Sequence, residues 1–299
     1  MPFDANPADQ TVSAPAASER PAADAEPPRG KGDMVRLQRW LRLQRERLVH
    51  GLLGAVSIGA CLLAWHVLTT RHVDLYVRFE HVPSPGEVVD SIRKVASSAE
   101  FSGHILTSAR RIFLGFVMAA AVAIPMGLLI GRFRLLRAVL FPVVELVRPI
   151  PAIAWVPMAI MLWPTSEESI LFITFLGSFF PVLLNTLLGM EGVDPVLVRA
   201  AKSLGASEGA VFLEVYLPAA LPQIFTGLTV GMGVAWVSLI AAEMISGQFG
   251  IGYFTWQAYS LVDYPDIALG MITIGVLGLA SSWLVRALGN LLMPWRNGR

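Results

Sequence analysis

Six apolar runs leave this chain few ways to fold: they lie near residues 51–70, 106–131, 138–163, 168–190, 222–246 and 267–290. A hydrocarbon core of about 30 Å takes about 20 predominantly apolar residues as a helix, and each run meets that length. The composition agrees, with 55% hydrophobic and 15% charged residues, where soluble domains carry about 25% charged. The expected fold class is all-α, a polytopic membrane protein with six transmembrane helices. The third run is the least regular, because Pro142, Pro149, Pro151 and Pro157 interrupt it. Prolines within a span free backbone carbonyls that a neighbouring helix or a watered cavity must satisfy, so broken or kinked helix beside a pathway is expected there.

An even number of spans puts both termini on one side, and the basic residues select it. With the N-terminus inside, 16 of the 23 Lys and Arg fall in the cytoplasm. Arg71, Arg78, Arg93, Lys94, Arg110 and Arg111 fall outside, and Arg148 lies within a span. That excess marks the cytoplasmic face, so both termini are expected there. Residues 1–33, rich in Ala, Pro, Ser, Asp and Glu, bury too little apolar surface to offset their ordering entropy and are expected disordered. Residues 34–49 set Leu37, Trp40, Leu41 and Leu48 at helical spacing among Arg36, Arg39, Arg42, Arg45 and Arg47. This suits a basic amphipathic helix on the cytoplasmic leaflet, or else a solvated positive flank of the first span. No basic segment followed by a short apolar one begins the chain, so no secretory signal is expected.

Between the fourth and fifth runs lies a polar stretch, Asp194 to Pro222. Asp194 is a natural N-cap and Pro195 fits the first helical position, so a short helix starts there and stops at Gly205, where a left-handed residue costs Gly little. Ser207 caps a second helix, expected to end near Leu217 because Pro218 disfavours helix before it and offers no amide hydrogen. Two short helices at an angle form a knob that a partner can grip.

This stretch resembles the coupling loop of bacterial ABC importer permeases, whose signature is Glu-Ala-Ala, three residues, Gly, nine residues, Ile, one residue, Leu-Pro. Here Arg199, Ala200, Ala201, Gly205, Val215, Leu217 and Pro218 hold those positions, with Arg199 where Glu is usual and Val215 for Ile. Further stretches resemble the nitrate, sulfonate, taurine and bicarbonate branch: Pro83-Ser84-Pro85, Ala109 to Gly115, Arg148 to Pro151 with Trp155 to Pro157, and Ala241 to Met244 before Gly250 to Tyr253. Together they span roughly residues 50–295, taken as the permease domain, with the coupling loop at 191–221. The resemblance implies the membrane subunit of a type I importer in a bacterial inner membrane, working as a homodimer. It also implies two ATPase subunits that bind ATP and Mg and contact the loop, Lys202 included, and an external solute-binding protein, periplasmic or lipid-anchored. The implied cargo is a small oxyanion, an alkanesulfonate or taurine first, nitrate or bicarbonate next, with an unrelated solute as the alternative.

Ionisable groups at membrane depth are functional candidates by default. Glu145 and Arg148 are three apart and share a helix face, as a structural ion pair or as a gate for anions; the planar guanidinium of Arg148 matches oxyanion oxygens. Glu243 is expected to pair with Arg110 or Arg111, or to cap the Gly250-Ile251-Gly252 turn. Trp155, Trp163, Trp236, Asn185 and Thr186 either line a central cavity or serve packing, the aromatic belt and helix–helix hydrogen bonding.

Other chemistry is missing. None of the three lysines ends a phosphate-binding Gly-x-x-x-x-Gly-Lys loop, and the five histidines and single Cys61 show no metal-ligand spacing, so neither a cofactor nor a metal is expected in this chain. A net charge of +1 argues against nucleic-acid binding. An ion-gradient-driven secondary transporter would need inverted repeats and midplane carboxylates, which Glu145 and Glu243 supply poorly, and a membrane scaffold would need no partner-gripping loop.

Overall fold

The computed structural model describes residues 29–70, 81–95 and 97–296, without the side chains of residues 29–44, 46, 47 and 296. Of residues 1–33, expected disordered, 1–28 lie outside the described residues, as does the side-chain pattern of 34–44, whereas 29–33 are helical as the start of α1. The chain divides into two units, residues 1–64 and 65–299. In the first, the described residues belong to α1 (Arg29–Thr70), whose last turns fall in the second unit. The basic stretch, read either as its own surface helix or as a positive flank of the first span, is continuous in helix with that span, since no proline interrupts residues 34–70. Leu48, Leu52, Val56 and Leu63 stand exposed along it, as suits a helix in lipid.

The second unit is helical throughout, with no strand among the described residues. It comprises α2 (Pro85–Val95), α3 (Ala99–Arg132), α4 (Arg134–Val147), a 3-10 turn (Ala152–Trp155) leading into α5 (Val156–Leu162), α6 (Ser166–Glu191) and α7 (Pro195–Ser203). It continues with α8 (Glu208–Val211), a π turn (Phe212–Tyr216), α9 (Leu217–Ser246), α10 (Ile251–Ser260) and α11 (Tyr264–Leu292). Five described helices are long and apolar enough to cross a membrane, and the pair Arg134–Val147 and Ala152–Leu162, bent by 84°, makes a sixth if read as one broken span. The break falls at Arg148 to Pro151, where two prolines withhold amide hydrogens.

At the centre α6 packs against both α3 and α9. Small residues bring these helices together: a Cβ on Gly127 of α3 would lie 2.7 Å from the Cβ of Thr186 on α6. On α6, Gly177 meets Ser238 of α9 more closely still. Such contacts are how helices associate where lipid removes the hydrophobic drive between them. Ile112, Phe116, Ile170, Ile173 and Leu239 fill the space around them, and Trp236 ties α9 to α11 by donating from Nε1 to Ser281 Oγ at 2.8 Å.

Helix α3, at 34 residues, measures about 50 Å and overruns a bilayer core of about 30 Å. Its first turns pack on α10 and α11 through Phe101, Ile251 and Leu269. Capping boxes start two helices: Ser84 with Glu87 at α2, and Thr165 with Glu168 at α6.

Candidate coupling surface and translocation groove

Local sequence builds the knob after α6. The side chain of Asp194 accepts the Val196 amide at 2.8 Å, with Pro195 at the first helical position. At the other end of α7, Gly205 takes φ +84°, the Gly205 amide donates to Lys202 O at 3.0 Å and the Ala206 amide donates to Ala201 O at 3.1 Å. These two bonds close the helix as a Schellman motif. Ser207 then caps α8 by accepting the Ala210 amide at 3.2 Å.

The expected stop at Leu217 does not occur: the helix runs from Glu208 through the π turn and past Pro218 to Ser246. The π turn is the reason. The Leu217 amide donates to Phe212 O, five residues back, and this wider turn carries the proline ring past the carbonyl it would strike in a regular α-helix. The second half of the knob is therefore one rod with a transmembrane helix.

Charges fix the knob to the bundle. Glu208 accepts from Lys202 of α7 at 2.5 Å and also pairs with Arg132, the last residue of α3. Arg137 of α4 pairs with Glu191 of α6 at 2.5 Å beside it. Leu204 is 89% exposed, and Val196, Leu197 and Leu213 are exposed with it, as are Arg199 and Ala200. Ala201, Val215, Leu217 and Pro218 are half-buried. The surface offered is apolar at its tip and charged at its flanks.

At the bend between α4 and the Ala152–Trp155 turn, Arg148 Nη1 donates to Glu145 Oε1 at 2.8 Å, and both side chains are almost half exposed. Arg148, Ile150, Phe180, Asn185, Val230 and Val234 line a groove of about 400 Å³ reaching from the bend across α6 to α9. Asn185 Nδ2 donates to Pro181 O at 2.8 Å and Oδ1 accepts from Gln223 at 3.1 Å. The groove thus holds a guanidinium, an amide and apolar walls. The other pathway candidates lie elsewhere. The Thr186 hydroxyl is buried and donates to Val182 O at 2.7 Å. Trp155 packs against the Ile112 and Trp236 cluster with its Nε1 buried and without a hydrogen-bond partner among the described residues. Trp163 is exposed and tilts against Phe172.

Glu243 sits at the far end of α9 from the knob and is fully buried. Its carboxylate accepts from Arg111 Nη1 at 3.0 Å, Ser108 Oγ at 2.8 Å and the Gly252 amide at 2.9 Å. Arg111 also donates through Nε to Glu167 in the first turn of α6 at 2.9 Å, and through Nη1 to Phe249 O at 2.5 Å. His104 Nδ1 accepts the Gly250 amide at 2.9 Å and Ser108 Oγ accepts the Ile251 amide at 2.9 Å. Arg111 and Glu243 thus pair as expected; Arg110 is exposed. Ser108, His104 and Glu167 were not foreseen, because they meet across three helices and only the paired glycines near Glu243 hint at something closely packed. The network is a latch across α3, α6, α9 and the start of α10.

The model of the family described as binding-protein-dependent transport system inner membrane component matches residues 123–297, from within α3 to beyond the end of α11. The chain belongs to this family. The taurine transport system permease protein of Escherichia coli is 34% identical over 80% of this chain and 88% of its own length. The nitrate import permease protein of Synechocystis sp. is 31% identical over 80% of this chain and 88% of its own. A solved bacterial alginate ABC transporter, in complex with an alginate-pentasaccharide-bound periplasmic protein, shares the fold at TM-score 0.57 and 13% identity, covering 85% of this chain and 98% of that one. The protein is an ABC importer permease of the branch that includes nitrate and taurine permeases, a transport component of the inner membrane rather than an enzyme. In this permease the knob stands where the coupling loop was read from sequence, at one end of α3, α6 and α9, with the latch at the other.

Proposed function

We propose that this permease, paired with a second copy, carries a small oxyanion into the cytoplasm, an alkanesulfonate or taurine ahead of nitrate or bicarbonate. Two ATPase subunits, which bind ATP and Mg that this chain does not, grip the 194–218 knob from the cytoplasm, where both termini also lie. An external solute-binding protein delivers the cargo to the end bearing the latch.

The observation that carries this reading is the continuous helix from Glu208 to Ser246, which joins half of the knob to a transmembrane helix without a hinge. When the ATPase pair closes on ATP, a knob held by Schellman and Asp caps moves as a rigid piece. The Glu208 ion pairs pass that displacement to α3, and the rod passes it to α9. At 39 residues the rod is about 58 Å long, so roughly half of it stands clear of a core of about 30 Å and can reach a cytoplasmic partner. The groove at the bend supports an anionic cargo, since Arg148 needs only to exchange Glu145 for the cargo's oxygens.

The test is uptake into vesicles holding the reconstituted permease, ATPase and binding protein, with radiolabelled taurine, an alkanesulfonate, nitrate and bicarbonate in parallel. Accumulation that needs ATP inside and binding protein outside, for at least one of these, is expected. ATP-independent accumulation, or none of the four transported by an otherwise active complex, would overturn the reading.

A further inference from the structure

Three cations at the knob end have carboxylate partners: Arg132 and Lys202 share Glu208, and Arg137 has Glu191. Arg134 and Arg199 have none among the described residues, but they stand on open surface at the start of α4 and on α7. Arg286 of α11 also has none among the described residues; it is exposed too, but it stands within a spanning helix and lines a recess. Its Nε donates to Ser282 O on the turn before at 3.3 Å, which leaves the two terminal nitrogens of the guanidinium uncommitted. An unpaired arginine within a spanning helix is costly and points to a ligand.

The recess, about 300 Å³, lies between α9 and α11 and is lined by Phe225, Thr226, Thr229, Arg286, Asn290 and Met293. Gly289 lets the helices meet, since a Cβ there would lie 2.8 Å from the Phe225 ring. The Thr226 and Thr229 hydroxyls are spent on Pro222 O and Phe225 O, both at 2.9 Å. The free donors are therefore Arg286 and, one turn on, the Asn290 amide, which has no hydrogen-bond partner among the described residues. A planar guanidinium beside a side-chain amide suits a singly charged oxyanion.

The flank of the recess indicates the source of that oxyanion. Trp283, Leu279 and Val276 are exposed three, seven and ten residues before Arg286, on the same face of α11 and toward the membrane interior, and Trp295 stands exposed beyond it. Tryptophans favour the headgroup level, and Arg286 lies about 9 Å before the end of α11 at Leu292. A free anion would use only the polar half of this surface, whereas a phospholipid uses both. We propose that Arg286 and Asn290 bind the phosphodiester of an anionic phospholipid from the leaflet on the knob side, its acyl chains lying along Trp283, Leu279 and Val276. Basic recesses between spanning helices take such headgroups. Because α9 is continuous with half of the knob, the bound lipid braces the helix that carries coupling.

The proposal is tested by native mass spectrometry of the full chain released from detergent, with phosphatidylglycerol, phosphatidylcholine and inorganic phosphate as probes. Retention of about one phosphatidylglycerol per chain is expected, at least about tenfold above phosphatidylcholine. Arg286→Gln should lower it about tenfold, Asn290→Leu about threefold, and Arg134→Gln should leave it unchanged. If Arg286→Gln does not fold, Asn290→Leu against Arg134→Gln decides alone. Equal retention in wild type and variants, or of the two lipids, would overturn the site. Complete displacement by about 10 mM phosphate would assign the recess to a soluble anion and overturn the lipid.

Discussion

Gly250→Ala places a methyl group on the Glu243 carboxylate, and the consequence can be worked from the latch. The new Cβ falls well inside van der Waals contact with the carboxyl carbon and both oxygens, while φ at this residue is +128°, where L side chains are strained. The carboxylate must withdraw from Arg111, Ser108 and the Gly252 amide, all at 2.8–3.0 Å. Breaking a buried ion pair by displacing one partner costs about 3–5 kcal/mol, and the backbone strain adds on the order of 1–3 kcal/mol. Relaxation of the α10 entry recovers part of this, so a net loss of about 3–5 kcal/mol is expected, equivalent to a fall of about 10 °C in the midpoint of thermal unfolding. Detergent-purified permease heated in steps and read by size exclusion gives that midpoint. Gly275→Ala is the control, because no atom lies within 4 Å of its Cβ, and its midpoint should stay within about 2 °C of wild type or rise, given the propensity gain of about 1 kcal/mol from Gly to Ala in a helix. A Gly250→Ala midpoint within about 2 °C of wild type would refute the latch geometry.

Arg148→Gln should cut uptake at least about tenfold while leaving the amount of assembled complex unchanged, because Arg148 is half exposed in the groove and its pair with Glu145 is a solvated one of about 0–1 kcal/mol; uptake at the wild-type rate removes Arg148 from the pathway. Pro218→Ala should let the π turn relax to α-helix, turning α8 by about 100° for the one residue absorbed. ATP-driven uptake should then fall with the thermal midpoint held or raised, and full uptake would show that the turn does not set the knob's direction.

Much of this molecule could be read along the chain, where the causes are local. Asp194, Pro195, Gly205 and Ser207 act within a few residues of themselves, and the structure uses each as a cap or stop. The prolines around Arg148 break their helix for the same local reason. What escaped reading depends on turns or partners far apart in sequence. Pro218 looked like a terminus because a proline forbids regular helix, yet one π turn carries the helix past it. The basic stretch after residue 34 suited either a separate surface helix or a flank of the first span, because charge alone neither breaks a helix that lacks a proline nor shows that it continues. The groove joining Arg148 to Asn185, and the latch joining His104, Ser108 and Glu167 to Glu243, are products of how α3, α6 and α9 pack, which periodicity does not encode.

The claim on which the account turns is that the 194–218 knob is the handle of the ATPase, and Gly205→Val tests it most directly. No atom lies within 4 Å of a Cβ at Gly205, so the substitution strains only the left-handed backbone at φ +84°, at a cost of order 1–3 kcal/mol confined to the end of α7. The variant should insert and unfold within about 2–8 °C of the wild-type midpoint, while the amount of ATPase that co-purifies with it falls at least about tenfold and uptake is lost. Wild-type ATPase binding together with wild-type uptake in Gly205→Val would contradict the account.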